Sequence, residues 1–164
     1  MIFGKVHIQT IEVPFHLVDA GHAVYHANYL VLFDQARSEA LKQAGYSAVD
    51  LWNDGFALAL YENASRYFRP ATYGQKISIF TTALVATGTT IKVQQHMVPS
   101  TSLSEDLLKS GFFPATTPVP DEKVRIHTIE LTLVCVKLNP LRPTRIPQRL
   151  VETLNLAVAK SSSR

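Results

Sequence analysis

Within eleven residues the chain places four groups able to bind a metal, move a proton or attack a carbonyl: His16, Asp19, His22 and His26, spaced three, three and four apart in "HLVDAGHAVYHANYL". Three chemistries compete for them. On one continuous helix the four would share a face, in the manner of helical zinc ligands. That helix would have to pass through Gly21 and leave a β-like segment containing Pro14. In a purely structural role, Asp19 would stabilise a turn and the histidines would fill surface or core. The third chemistry is acyl transfer. Asp19 would lie in a loop, with a helix starting several residues later. The start of a helix offers unpaired N–H groups and partial positive charge. A carbonyl oxygen held there would be polarised, and one such donor is worth about 3–4 kcal/mol to a developing oxyanion. A carboxylate facing the same carbon can attack it or deprotonate a water. Residue types and spacing leave all three open.

The elements that must carry this loop are legible. Residues 5–18, "KVHIQTIEVPFHLV", alternate in part and are β-branched, which predicts a strand with Pro14 at an edge or bulge. Residues 19–26 read as a loop hinged at Gly21. A helix is expected from about Asn28 to Ala44, ended by Gly45. Tyr29, Phe33, Ala36, Ala40 and Ala44 form its apolar stripe, flanked by Leu30, Phe33, Arg37 and Leu41. Its first turn, "YLVL", is apolar all round and is expected to be buried. Ser47 caps a short helix in "SAVDLWND". Strands follow in "FALALYENASRYF", "QKISIFTTALVAT" and "TIKVQQHMV", the last two joined by a tight turn at "TGT". Residues 99–122, with four prolines, read as an insertion with one helical turn around "SEDLLKS". Residues 123–138 form the longest clean strand, and a last helix is expected over 147–159. A helix followed by a run of strands indicates an α+β protein whose antiparallel sheet curls around that helix.

Composition narrows the class. The 164 residues suit one domain over 1–164, with 46% hydrophobic residues and no apolar run approaching a membrane span. The first residues lack the basic and apolar regions of a signal peptide. One cysteine, Cys135, excludes an internal disulfide and suits a cytoplasmic protein. A net charge of +3, without basic residues interleaved with aromatics, argues against nucleic acid and suits a small anionic ligand. Elsewhere, Lys92, Arg142 and Arg145 are candidates to meet ligand phosphates. His96, His127 and Trp52 read as structural, and Glu62 and Arg66 as a surface charge pair.

The stretch "VDAGHAVYHANYLVLFDQARSEALKQAG" resembles the signature of hotdog-fold acyl-CoA thioesterases of the 4-hydroxybenzoyl-CoA thioesterase family. The likeness rests on Asp19, Gly21 (one position early), Val24, Tyr25, Asn28, Tyr29, Phe33, Asp34, Ala36, Arg37 and Glu39. It continues more weakly in "ENASRYFRPATYGQKISIFTTAL" and "LTLVCVKLNPLRPTRIPQRL". The resemblance implies a hotdog fold, a homodimer or homotetramer, and hydrolysis of an acyl-CoA thioester without metal or cofactor. It makes Asp19 the catalytic carboxylate and the main chain at His26 the oxyanion donor. Tyr25, His22, Asn28 and Glu62 become candidates for substrate contact. The chain departs from the family at Leu17, where many members carry a second acid, and at His22, where many have a small residue. The insertion is open to three roles: covering the pocket, extending an oligomer interface, or neither.

Overall fold

In the computed structural model, which describes residues 5–154, the first segment forms strand β1 (Val6–Glu12). It is shorter than the strand expected to reach residue 18. Pro14 has no N–H to give to a ladder, and it opens a 3₁₀ turn at Phe15–Leu17 instead. After the loop comes helix α1 (Asn28–Gln43), at its expected place. Gly45 adopts φ 88°, and the amides of Gly45 and Tyr46 turn back to the carbonyls of Lys42 and Leu41 (3.0 and 3.1 Å). This paired bond pattern satisfies the last carbonyls of the helix. Ser47 caps α2 (Ala48–Asn53): its hydroxyl accepts from the Asp50 N–H, and the Asp50 carboxylate accepts from the Ser47 N–H.

Strands β2 (Phe56–Tyr67), β3 (Lys76–Thr87) and β4 (Thr90–Pro99) follow as expected, with β3 and β4 joined at Gly88-Thr89. Then come β5 (Gly111–Phe113), β6 (His127–Leu138), β7 (Leu141–Pro143) and α3 (Gln148–Thr153). The strands form one antiparallel sheet in the order β2-β6-β4-β3-β1-β5, with β7 also paired to β6. Two expectations need correction. Strand β6 starts at His127, because residues 122–124 form a 3₁₀ turn. The three-residue strands β5 and β7 were not expected, being too short to carry a pattern. The final helix is described only to Thr153, and the rest of the expected 147–159 span lies outside the described residues.

Helix α1 lies on one face of the sheet. Tyr29, Leu32, Phe33 and Ala36 pack with Ile77, Ile79, Ile91, Val93, Met97, Ile129 and Leu131 in the main core. Leu32 was missing from the expected stripe. The expectation that the first turn is buried all round is overturned for the single chain: Val31 is 51% exposed and Leu30 36%. A helix resting on one sheet turns about half its circumference away from it. The opposite sheet face carries a second core of Val6, Ile8, Phe80 and Val98. The insertion covers that face with Leu103, Leu107, Phe113 and Val119, and its single helical turn falls at Glu105–Leu108 as a 3₁₀ turn.

Candidate active site

The loop between β1 and α1 is tied down at every step. Val18 bridges Val24, and the Asp19 N–H donates to the Ala23 carbonyl (3.0 Å). The His22 N–H donates back to the Asp19 carbonyl (3.0 Å), and the Gly21 N–H to the Asp19 Oδ1 (2.7 Å). One carboxylate oxygen thus holds the turn. The other, Oδ2, accepts no hydrogen bond from the described residues and faces solvent with the exposed side chain.

Gly21 was read as the hinge of this loop, but the left-handed backbone conformation of the turn falls one residue later. His22 takes that conformation, at φ 61°. Gly21 serves a different need: a Cβ on it would lie 3.0 Å from Asp19 Oδ1. The proximity of these two residues requires the glycine; the reversal of the chain strains the histidine.

The loop leads directly into α1. The Val24 N–H donates to the Ala71 carbonyl (2.8 Å), and the Ala71 N–H donates to the Tyr29 hydroxyl (3.0 Å). Burial pushes the Tyr29 phenol pKa up, with smaller upward contributions from Tyr67 and Asp19. The Leu17 carbonyl accepts from both the Tyr25 N–H and the Asn28 Nδ2 (3.0 Å each). Asn28 therefore fastens the 3₁₀ turn to the helix start with the group expected to meet substrate. The helix has no side-chain cap and no acid in its first turn. Among the described residues, the N–H groups of His26 and Ala27 have no acceptor, and both residues are exposed. Tyr25 stacks on the His26 ring, with centroids 4.2 Å apart.

Asp19, His22, Tyr25, His26 and Asn28 thus share one continuous loop and helix start. Glu62 does not join them: its carboxylate accepts from the Thr132 hydroxyl (3.3 Å), on the sheet face turned away from α1. Arg66 pairs with Glu122 (3.3 Å) rather than with Glu62. The continuous helix that a four-ligand metal face would need is not formed, because residues 15–17 and 19–26 are a 3₁₀ turn and a loop.

Two residues not assigned to the site from sequence support it. Tyr67, on edge strand β2, donates its hydroxyl to the His26 carbonyl (3.1 Å). His127 is fully buried against Tyr67, Tyr29 and Phe33, with ring centroids 4.1, 5.0 and 5.0 Å away. Neither of its ring nitrogens has a partner among the described residues, and burial lowers its pKa to about 4. Strand alternation places His127 facing inward, but it carries no signal for the aromatic neighbours.

The arrangement resembles that of known proteins. The sequence profile of the Thioesterase-like superfamily matches residues 13–154. The acyl-CoA thioester hydrolase YbgC of Escherichia coli is 23% identical over 141 residues, covering 86% of this chain and 90% of that protein. Among solved structures, a 1,4-dihydroxy-2-naphthoyl-CoA thioesterase from Synechocystis superposes with TM-score 0.72 at 16% identity, covering 92% of this chain and 96% of that one. A DHNA-CoA thioesterase from Staphylococcus aureus superposes with TM-score 0.71 at 18% identity, covering 92% and 89%. The curled sheet with one long helix on its inner face is the hotdog fold that these structures share. With the profile spanning the Asp19 loop, helix α1 and every strand of the sheet after β1, the chain belongs to the Thioesterase-like superfamily.

Proposed function

We propose that the protein hydrolyses an acyl-CoA thioester, with the Asp19 carboxylate as the reacting group and the amides of His26 and Ala27 as the oxyanion donors. The observation that carries this reading is one carboxylate oxygen and two amides, all without partners among the described residues, on one loop that enters an uncapped helix. The thioester oxygen accepts from the amides, so its carbon becomes electrophilic, and Asp19 Oδ2 faces that carbon. Attack by Oδ2 expels the CoA thiolate and leaves a mixed anhydride, which water cleaves to free acid. Alternatively, Oδ2 takes a proton from a water that attacks instead. Both routes give the acid and CoA with no other reactant. Tyr25 and His22, both exposed beside the carboxylate, would line the acyl or pantetheine path.

The reading includes a homodimer formed through β2. One side of this twelve-residue strand pairs with β6, and the described sheet places nothing on the other. Tyr61, at a register shift, is 73% exposed. Long open edges with exposed apolar residues are templates for pairing with another chain. A partner's β2 would also approach Tyr67, and so the helix start. A CoA ester and a lone buried thiol fit the reducing cytoplasm; no described helix is long and apolar enough to cross a membrane.

The test is thiol release over a panel of acyl-CoA esters of varied chain length and aromaticity, with Asp19→Asn as control. The substitution keeps the Gly21 contact, so folding should survive while kcat falls by about 10²–10⁴-fold. Turnover unchanged by it would reject the mechanism. Single turnover in ¹⁸O-water separates the routes, since a mixed anhydride cleaved at the aspartyl carbon leaves label in Asp19.

A further inference from the structure

A cavity of about 450 Å³ lies beneath the second half of α1, away from the Asp19 loop. Its roof is Arg37, Ala40, Leu41 and Ala44, and its floor crosses the sheet from β5 to β2. No residue of the loop or of the first two turns of α1 lines it; the fully buried Leu32, Phe33 and Ala36 fill the core between.

The floor changes character along its length. At the β1 end stand Lys5, His7 and Thr81; toward β6 and β2 stand Ile91, Val93, Leu133 and Leu58. Four strand spacings separate β1 from β2, about 19 Å. Among the described residues, no acid lines the cavity. His7 supplies no charge, because burial lowers its pKa. Gln43 also fixes its tautomer: the Gln43 Nε2 donates to Glu39, which leaves the Gln43 Oε1 to accept from His7 Nε2. The cations among the described lining residues are Lys5, which is exposed, and Arg37, whose side chain is 15% exposed. Arg37 gives one N–H to Gln95 and one to Asp34 (2.8 Å each), so three of its five donors have no described partner. Burial lowers its pKa, against the raising effect of Asp34.

We propose that this cavity binds an unbranched aliphatic carboxylate of medium length, with its chain toward β6 and β2 and its head toward Lys5 and Arg37. The volume suits roughly fifteen groups the size of a water or methylene, at about 30 Å³ each. It falls within the range of small-molecule pockets. The insertion contributes a wall here through Phe112, which meets the His7 ring edge-on at 4.9 Å. The proposal stands on the cavity and its charges and does not depend on the hydrolytic reading.

The test is decanoate binding followed by NMR on the full chain, with methyl-labelled Leu, Ile and Val. Decanoate should bind once per chain, with contacts from its chain protons to Leu41, Ile91 and Leu133. Decanol, with the same chain and no charge, should bind about tenfold more weakly, and Lys5→Gln should reduce the difference. Asp19→Asn should leave binding unchanged, which separates this cavity from product held at the catalytic loop. Ala40→Leu or Ala83→Leu should each weaken binding about tenfold by filling the space. The direct contacts need no variant, so they decide the matter even if both variants fail to fold. Contacts confined to the Asp19 loop, equal affinity for decanol and decanoate, or residues 155–164 in contact with Leu41 and Ile91 in the free protein would each overturn the proposal.

Discussion

The Tyr67 hydroxyl donates to the His26 main-chain oxygen at 3.1 Å, joining the sheet's edge strand to the loop that enters α1. The carbonyl of His26 is fixed by this bond, so the peptide plane that follows it, carrying the Ala27 N–H, is fixed too. Tyr67→Phe should leave the fold intact, at a cost of about 1 kcal/mol for the lost hydrogen bond. It should lower kcat by about 3–10-fold with little change in KM, since the loosened amide matters most when charge develops on the oxygen. Steady-state kinetics beside urea denaturation checks both halves.

Gly21→Ala tests the same loop from the other end. The added methyl would meet Asp19 Oδ1 at 3.0 Å, so the carboxylate must shift. Misplacement of a reacting group by about 1 Å can cost roughly 10²-fold in rate. We expect kcat to fall by about 10–100-fold, with thermal stability changed by only a few degrees. Thiol-release kinetics and a melting curve provide the readout. A fully active Gly21→Ala would mean that Asp19 Oδ1 need not stay where it is.

Burial lowers the pKa of His127 to about 4, and that of His96 to about 4 with the Arg125 charge adding to the shift. The unfolded chain takes up these protons near pH 6.5, before the folded one does. Stability contributed by the neutral rings is therefore fully present above pH 6.5 and is lost as pH falls toward 4. The loss reaches on the order of 3 kcal/mol per ring. Urea midpoints between pH 7 and 4.5 should show this fall. His127→Leu should flatten it by about half. At pH 7 the variant should be no less stable than the parent, because it removes two buried nitrogens without described partners.

The open β2 edge gives the fourth prediction. Tyr61→Lys with Leu60→Lys puts charge on the exposed residues beside the register shift. On the proposed pairing the parent should sediment as a dimer and the variant as a monomer, and thiol release should fall with it, since the partner strand would approach Tyr67. A parent that sediments as a monomer at micromolar concentration would refute the pairing.

Local signals were enough for much of the fold. Gly45 and Ser47 marked the end of α1 and the start of α2, because capping needs few residues and specific side chains. Alternation placed β2, β3, β4 and most of β6 within a few residues. Pro14 was recognised as a disturbance, but not as the reason β1 stops at Glu12, since a proline can be met by a bulge or by a break. The loop hinge was read at Gly21, and nothing in the local pattern marked His22, on which the hydrogen bonds of the Asp19 turn put the left-handed conformation.

The sequence by itself determined the order of the long strands and the helices and the placing of Asp19 and a helix start a few residues apart. Both depend on neighbours along the chain. Only the tertiary structure decided that Tyr67 and His127 stand behind that helix start, and that Glu62 faces the other side of the sheet. It alone decided that the insertion packs on the outer face and that a cavity opens under Ala40 and Ala44. These depend on which strands become neighbours and on the register they adopt, and a shift of one residue would turn each of those side chains to the opposite face.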